Sequence, residues 1–407
     1  IALLAPGFVG EPAFLLAVGN ARLMLPYLAF AGPVTVMMAL LNAHHRFALT
    51  AFSPLLFNIA LIAAAIGLLM FPRQPAVAAL LLSATVGLAG LLQLTALAAG
   101  GGGKGMRIRL TPDREVRGFL GSAAPGLIAG AAPQRMLVGA AALAAASPAA
   151  ISWLYFANRL VELPLGIVGV AMGTVLVSEL TRATRDNDAA FARAAGRGLE
   201  LAIGLALPAA LGLMLLSEPI VRLLFEHGAF TAADSRATAQ ALTWLALGLP
   251  AHVLTKALAP TFFARGDTTT PMLAALAALA ATVAAALVLD RAHGVTGIAA
   301  AIALGAWVGA LALLIRARVR LGLMLGPLTR ARLIGIVVAA LAMGGLLWLA
   351  TASLAPWLPG GHRLMVALAL AGLIAAGIAI YAASLALLGV ISPRDVIRAL
   401  RKPGLRD

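Results

Sequence analysis

The chain has 407 residues, of which 62% are hydrophobic and only 11% charged, and its mean hydropathy is +1.00. A water-soluble domain averages about 45–50% apolar and roughly 25% charged residues, so this chain lacks the polar groups to cover itself in water, and its solvent must be lipid. The net charge of +15 does not indicate a nucleic-acid partner, because the cations sit in short loops between apolar runs, a topological pattern that suits anionic headgroups; with no cysteine, disulfides and thiolate metal sites are excluded.

Ile1–Leu4 reads as the tail of an apolar run, without the charged start and small-residue cleavage site of a signal peptide. The sequence is therefore expected to begin inside a longer protein. A membrane span needs about 20 apolar residues, and eleven candidates follow in order: 22–41, 52–71, 77–99, 118–142, 151–179, 199–216, 241–264, 271–289, 296–315, 333–351 and 364–389. The fourth is the most interrupted, by Pro125, Pro133, Gln134 and Arg135. Gly100–Gly105 reads as a flexible linker and lobe boundary. Residues 182–198, alternating charge with Phe191 and Ala, read as an amphipathic cytoplasmic helix. Residues 217–240 read as a short helix and turn on the outer interface, ending in His227-Gly228-Ala229-Phe230-Thr231.

Orientation follows from the Lys/Arg bias of alternate loops. One set of loops holds Arg46, the cluster Lys104 to Arg117, the cluster Arg182 to Arg197, Arg265, the cluster Arg316 to Arg332, and the tail from Arg394 to Arg406. The other set holds only Arg22, Arg73, Arg222, Arg236, Arg291 and Arg363. The first set is assigned to the cytoplasm, with the C-terminus inside and a first loop at about 5–21 outside. A weak internal repeat accompanies this topology. Asn42 to Phe47 followed by Ala51-Phe52-Ser53-Pro54 parallels Phe262 to Asp267 followed by Thr270-Pro271. Each places an Arg in a short turn and a Pro at the start of the next helix, where its missing N–H costs nothing. A six-span offset would make this a parallel repeat of two lobes.

Ionisable side chains within spans cost roughly 2.5–3.5 kcal/mol each, so they usually face a bundle interior or a hydrated cavity. Arg159 and Glu162 lie three apart on one helix face within Trp153–Pro164. Either they form a self-neutralising pair that locks the helix, or Arg159 binds an anionic group in a cavity with Glu162 orienting it; the second reading is preferred, because guanidinium geometry suits phosphate. Asn158 adds a polar neighbour. Gly166, Gly169 and Gly173 form a small-residue stripe read as packing. Gln134 and Arg135 follow Pro133, and Arg135 either lines a cavity or snorkels to the interface. Lys256, between Pro250 and Pro260, has no carboxylate within helical reach, so its partner must come from another helix or a ligand. The histidines have no metal-ligand spacing, and no phosphate-binding loop or acid/base cluster is present. A secondary transporter is expected in preference to an enzyme, with no cofactor or metal.

Several of these segments resemble the MurJ (MviN) family of lipid II flippases, within the multidrug/oligosaccharidyl-lipid/polysaccharide exporter superfamily. The resemblance rests on Ala5-Pro-Gly-Phe8, on Leu41-Asn42 through Arg46-Phe47 with Ala51-Phe52-Ser53-Pro54 and Asn58, on Trp153 to Pro164 with Leu165-Gly166, and on Gly169-Val-Ala-Met-Gly-Thr174. It continues through Leu224-Phe225, Gly228-Ala229-Phe230-Thr231, Lys256 to Pro260, Phe263-Ala264-Arg265 and Thr270-Pro271.

That resemblance implies an all-α integral membrane fold of two lobes around a central cavity, with about eleven complete spans here of the family's fourteen. Residues 1–99 would be an N-terminal lobe from the end of the third helix to the sixth, without its first helices. Residues 100–117 would be the inter-lobe linker, 118–318 the C-terminal lobe, 319–390 a two-helix extension forming a lipid groove, and 391–407 a basic cytoplasmic tail. It further implies a monomer of the bacterial inner membrane that flips lipid II by alternating access. Its partners would be lipid II, membrane lipids and cell-wall synthesis proteins. Arg159 would contact the pyrophosphate, with Glu162, Lys256, Gln134, Arg135, Asn158 and Asn42 as further substrate-binding residues. Asn158 stands where many members have Asp. The sodium site of some members is not carried over, since 118–142 has no carboxylate and 271–289 has neither carboxylate nor Asn. The rival readings are a multidrug cation exporter of the same superfamily and a non-transporting scaffold for cell-wall enzymes.

Overall fold

A computed structural model of the chain describes residues 12–44, 46–102, 148–171, 188–323, 326–354 and 363–391. These residues are helical with short turns, and among them nine segments are long and apolar enough to cross a membrane. Among the described residues the fold is all-α, with helices of membrane-crossing length. The chain divides into two compact units, Ile1–Asp113 and Arg114–Asp407.

In the first unit, α1 (Pro12–Met24) is followed after one residue by α2 (Pro26–Ala43), then α3 (Phe47–Met70) and α4 (Pro75–Leu97), the last closing in a π-helical turn at Ala98–Gly102. The expected outer loop at 5–21 is thus, from residue 12, a helix. It packs on α4, where the Ser83 hydroxyl donates to the Asn20 side chain at 3.1 Å. Gly87 and Gly90 of α4 let Leu23 and Tyr27 approach closely where α1 meets α2. Of the expected linker, Gly100–Gly102 continue α4 and 103–117 lie outside the described residues; the Gly100 carbonyl accepts from Arg46 at 2.9 Å. The repeat is matched unevenly. Pro271 lies in the first turn of its helix, whereas α3 already begins at Phe47 and encloses Pro54. There the buried Gln93 side chain of α4 donates to the Ser53 carbonyl at 2.9 Å.

The second unit contains α5 (Pro148–Ala171), α6 (Asp188–Leu215), the short α7 (Ser217–Phe225), α8 (Ala232–Phe263), α9 (Thr269–Leu321), α10 (Pro327–Leu354) and α11 (Arg363–Leu387). Helix α8 is its hub. Leu242, Leu249, Leu258 and Phe262 are fully buried among α5, α6 and α9. Its start is fixed by a capping box: Thr231 Oγ1 accepts from the Asp234 N–H at 3.3 Å, and Asp234 accepts from the Thr231 N–H at 2.8 Å. Such a cap contributes about 1 kcal/mol. Trp153 then donates to Asp234 at 2.9 Å, tying the start of α5 to that of α8. Beside this joint Phe156, Phe225 and Phe230 pack with ring centroids 4.8–6.0 Å apart. The expected short helix and turn at 217–240 are thus present as α7 and Gly228 (φ 62°), with α8 starting earlier than its apolar run.

Helix α9 holds two spans, Thr269–Asp290 and Ala292–Leu321, broken at Gly294 (φ 52°, ψ −131°). Gly297 abuts Leu289, Gly305 abuts Thr282 and Gly309 abuts Ala278, so the two limbs run antiparallel as a hairpin. The separate amphipathic helix expected at 182–198 is corrected. From residue 188 onward the segment is the first part of α6, and 182–187 lie outside the described residues. These turns dock on α10 instead of lying on a membrane surface: Gly196 faces Thr329, and Glu200 pairs with Arg332 at 3.3 Å. Helix α11 in turn seats Gly377 against Leu347 of α10.

Candidate functional site

Helix α5 buries one face and offers the other. Leu154, Ala157, Leu160, Val161 and Val168 are buried, at spacings of three, four and seven that place them on one face of a 3.6-residue helix. The opposite face carries Ser152, Tyr155, Arg159, Glu162, Leu163 and Gly166, all exposed. It therefore combines two charges, a phenol and a hydroxyl in a helix expected to span the bilayer.

Within this face Arg159 and Glu162 form an ion pair at 2.9 Å, with side chains 59% and 46% exposed. The other Glu162 oxygen accepts from the Asn158 amide at 2.8 Å. An amide donor at this position satisfies the carboxylate, whereas an Asp there would repel it. Tyr155 is a partner that sequence reading missed, although its spacing of four from Arg159 was visible. Its hydroxyl accepts from Nε and Nη2 of Arg159 at 3.2 and 3.0 Å, and its ring lies 5.1 Å from the guanidinium carbon. Three of the five guanidinium N–H groups are thus engaged on α5. One N–H on each terminal nitrogen has no acceptor among the described residues.

Lys256 on α8 is also exposed and has no carboxylate partner among the described residues. Its Nζ lies 3.4 Å from the point a Cβ would occupy on Gly169. The small-residue stripe is therefore not simply packing: Gly169 makes room for the amine, while a Cβ on Gly166 would meet nothing within 4 Å. Gly169 is ten residues beyond Arg159, about 15 Å along the helix. The structure thus joins Arg159, Glu162 and Asn158 and sets Lys256 apart as a second cationic point. Asn42 lies in the other unit, where its side chain accepts from Thr50 at 2.8 Å. Gln134 and Arg135, with the span 118–142, lie outside the described residues.

The helical pattern of the chain has a counterpart in known proteins. The family model for the lipid II flippase MurJ matches residues 1–368. The chain belongs to the MurJ family. It is 41% identical over 392 residues to a probable lipid II flippase MurJ of Rhizobium meliloti (strain 1021), covering 93% of this chain and 72% of the relative. A probable MurJ of Rhizobium tropici is 34% identical over 408 residues, covering 98% of this chain and 76% of the relative. A solved structure of the lipid II flippase MurJ in an inward closed conformation shares the fold, with TM-score 0.73 at 20% identity over 93% of this chain and 74% of that one. As a member of the MurJ family the chain is a multi-pass protein of the bacterial inner membrane.

Proposed function

We propose that this MurJ-family chain carries lipid II from the cytoplasmic to the outer leaflet by alternating access, and that Arg159 contacts its pyrophosphate. The observation that carries the assignment is the Arg159 guanidinium, held on the exposed face of α5, which the sequence leads one to expect as a span, with one N–H on each terminal nitrogen lacking an acceptor among the described residues. A charge pair facing hydrocarbon would incur the bilayer penalty, so this face fronts water or a polar ligand. Two N–H groups on adjacent nitrogens match two phosphate oxygens. Tyr155 holds the guanidinium plane, and Glu162 keeps Arg159 from becoming a permanent anion trap. A site that must release its cargo on the other side requires that moderation.

Lys256 meets a second part of the headgroup about 15 Å along α5, with Asn42, Gln134 and Arg135 contributing from the remaining helices. The polyprenyl tail lies along α10 and α11. The C-terminus is cytoplasmic, as the loop charges support, and the protein acts as a monomer. A cationic site of this kind can be biased by the membrane potential, at about 2.3 kcal/mol per charge per 100 mV.

The test is rescue of a strain depleted of its own flippase, comparing the chain within its full-length protein with Arg159→Ala at equal expression. Wild type restores growth and the variant fails. Equal rescue by the variant overturns the role of Arg159, and drug export without rescue overturns lipid II as cargo.

A further inference from the structure

A cavity of about 550 Å³ opens on the side of α8 away from the charged face, between α8 and both limbs of α9. Leu247, on its wall, is nine residues before Lys256, and at 100° per residue that places it half a turn away. The groove is built into the backbone. Gly248 lies against Ala303, where a Cβ would approach the Ala303 Cα to 3.0 Å, and this close contact forms the floor. Trp307 donates its indole N–H to the Leu247 carbonyl at 3.0 Å, which closes the deep end, and Trp244 forms a wall.

The groove is ordered from polar to apolar. His293 and Thr296 line it beside the Gly294 turn, and the rest is aliphatic or indole. From Gly294 to Trp307 is thirteen residues, about 20 Å of helix, against about 15 Å for half of a 30 Å hydrocarbon core. Its walls stay exposed in the folded unit: Trp244 is 44%, Leu247 40% and Leu304 48% accessible. A trough that starts at a polar turn, runs apolar for one leaflet's depth and stops at a ring has the polarity and length of one lipid tail.

We propose that this groove is a binding site for a single glycerophospholipid, its acyl chain lying between Trp244 and Trp307 and its headgroup at His293 and Thr296. The leaflet is the one into which the Gly294 turn opens, the outer one by the loop charges. The site is separate from the Arg159 face and does not depend on the identity of the transported molecule. A chain several times longer than a leaflet is deep, such as a polyprenyl tail, does not fit the closed end at Trp307.

The test uses the purified chain in nanodiscs of phosphatidylethanolamine and phosphatidylglycerol, doped with phosphatidylethanolamine bearing a diazirine near the end of one acyl chain. After photolysis, adducts are mapped by peptide mass spectrometry. Adducts at Trp244, Leu304 or Trp307 should exceed those at the exposed Ile374 and Ile378 of α11 by roughly tenfold, a preference equivalent to about 1.4 kcal/mol. Ala300→Trp, which fills the groove, should remove that excess, and Leu304→Trp serves if the first variant does not fold. Even labelling of the groove and α11 in the wild type overturns the proposal, as does an excess that survives in a folded groove-filled variant. Labelling of the groove by a diazirine-bearing polyprenyl phosphate, with none from the phospholipid, also overturns it.

Discussion

Tyr381 of α11 donates its hydroxyl hydrogen to the carbonyl of Gly204 on α6 at 2.7 Å, and that carbonyl is the one Pro208 leaves without a helical donor. Proline has no N–H to return to the carbonyl four residues back, and hydrocarbon offers no water in its place. The phenol supplies the missing donor and fastens α11 across α10 to the bundle.

Tyr381→Phe should therefore lower resistance to unfolding by about 0.6–1.7 kcal/mol, the range seen for hydrogen bonds between membrane helices. Pro208→Ala restores a donor within α6, so the same tyrosine substitution should cost less in that background. A double-mutant cycle by denaturant unfolding in mixed micelles measures this coupling, expected at about 0.5 kcal/mol or more. Strict additivity would mean that the phenol and the proline are independent.

Arg159→Met should leave the unfolding midpoint nearly unchanged while abolishing rescue of growth. The Arg159–Glu162 pair is more than 40% exposed on both sides, and exposed pairs contribute about 0–1 kcal/mol. Tyr155→Phe keeps the ring beneath the guanidinium and removes the acceptor, so binding of lipid II should weaken by a few-fold, short of the loss in Arg159→Met. A large drop in stability with activity retained would instead make the pair a structural lock.

At Gly169 the space beside the Lys256 amine is just wide enough for one methyl group, with 3.4 Å from a built Cβ to Nζ. Gly169→Ala should keep activity and stabilise α5 by up to about 0.5–1 kcal/mol, since alanine loses less backbone freedom on becoming helical. Gly169→Leu should displace the amine and lose transport to the same extent as Lys256→Gln. Transport assays on the three variants, each checked for folding by thermal melt, separate crowding of the lysine from damage to the helix.

Asp267, in the turn between α8 and α9, supplies a dependence on pH. Partial burial pushes its carboxyl up, but hydrogen bonds from the Thr270 hydroxyl and N–H, helped by Arg320 and the Thr269 N–H, outweigh this and hold it below its ordinary value. A group depressed in the folded state stabilises above its unfolded pKa and loses that contribution as pH falls through the folded one. The stability gap between wild type and Asp267→Asn should thus be widest at neutral pH and close in strong acid. Unfolding midpoints across an acid pH series measure it, and a constant gap would contradict the assignment.

Most spans were legible in the sequence, because runs of about 20 apolar residues have few other uses. Helix α1 was not, since it lies ahead of the first full apolar run and holds Asn20, whose partner Ser83 comes from α4, 63 residues away. The continuity of 188–198 with α6 was hidden for a related reason: Arg332 and Thr329, which receive that segment, are more than 130 residues away. At the candidate site the Arg159–Glu162 pair followed from a spacing of three. Tyr155 has an equally readable spacing, but a neutral phenol carries no bilayer penalty to mark it in the sequence. The meeting of Lys256 with Gly169 has no local signature, as it depends on how α5 and α8 cross.

The turn at Gly294 leaves almost nothing between the limbs of α9, with close contacts from Gly297 to Gly309 zipping them together. Only a few residues around Gly294 join the two spans on that side, so the pair is expected to enter the bilayer together during synthesis. A protease or an inserted epitope tag would find no tether to cut or extend there. The hairpin is a single part of the machine, and motion during transport must occur around it.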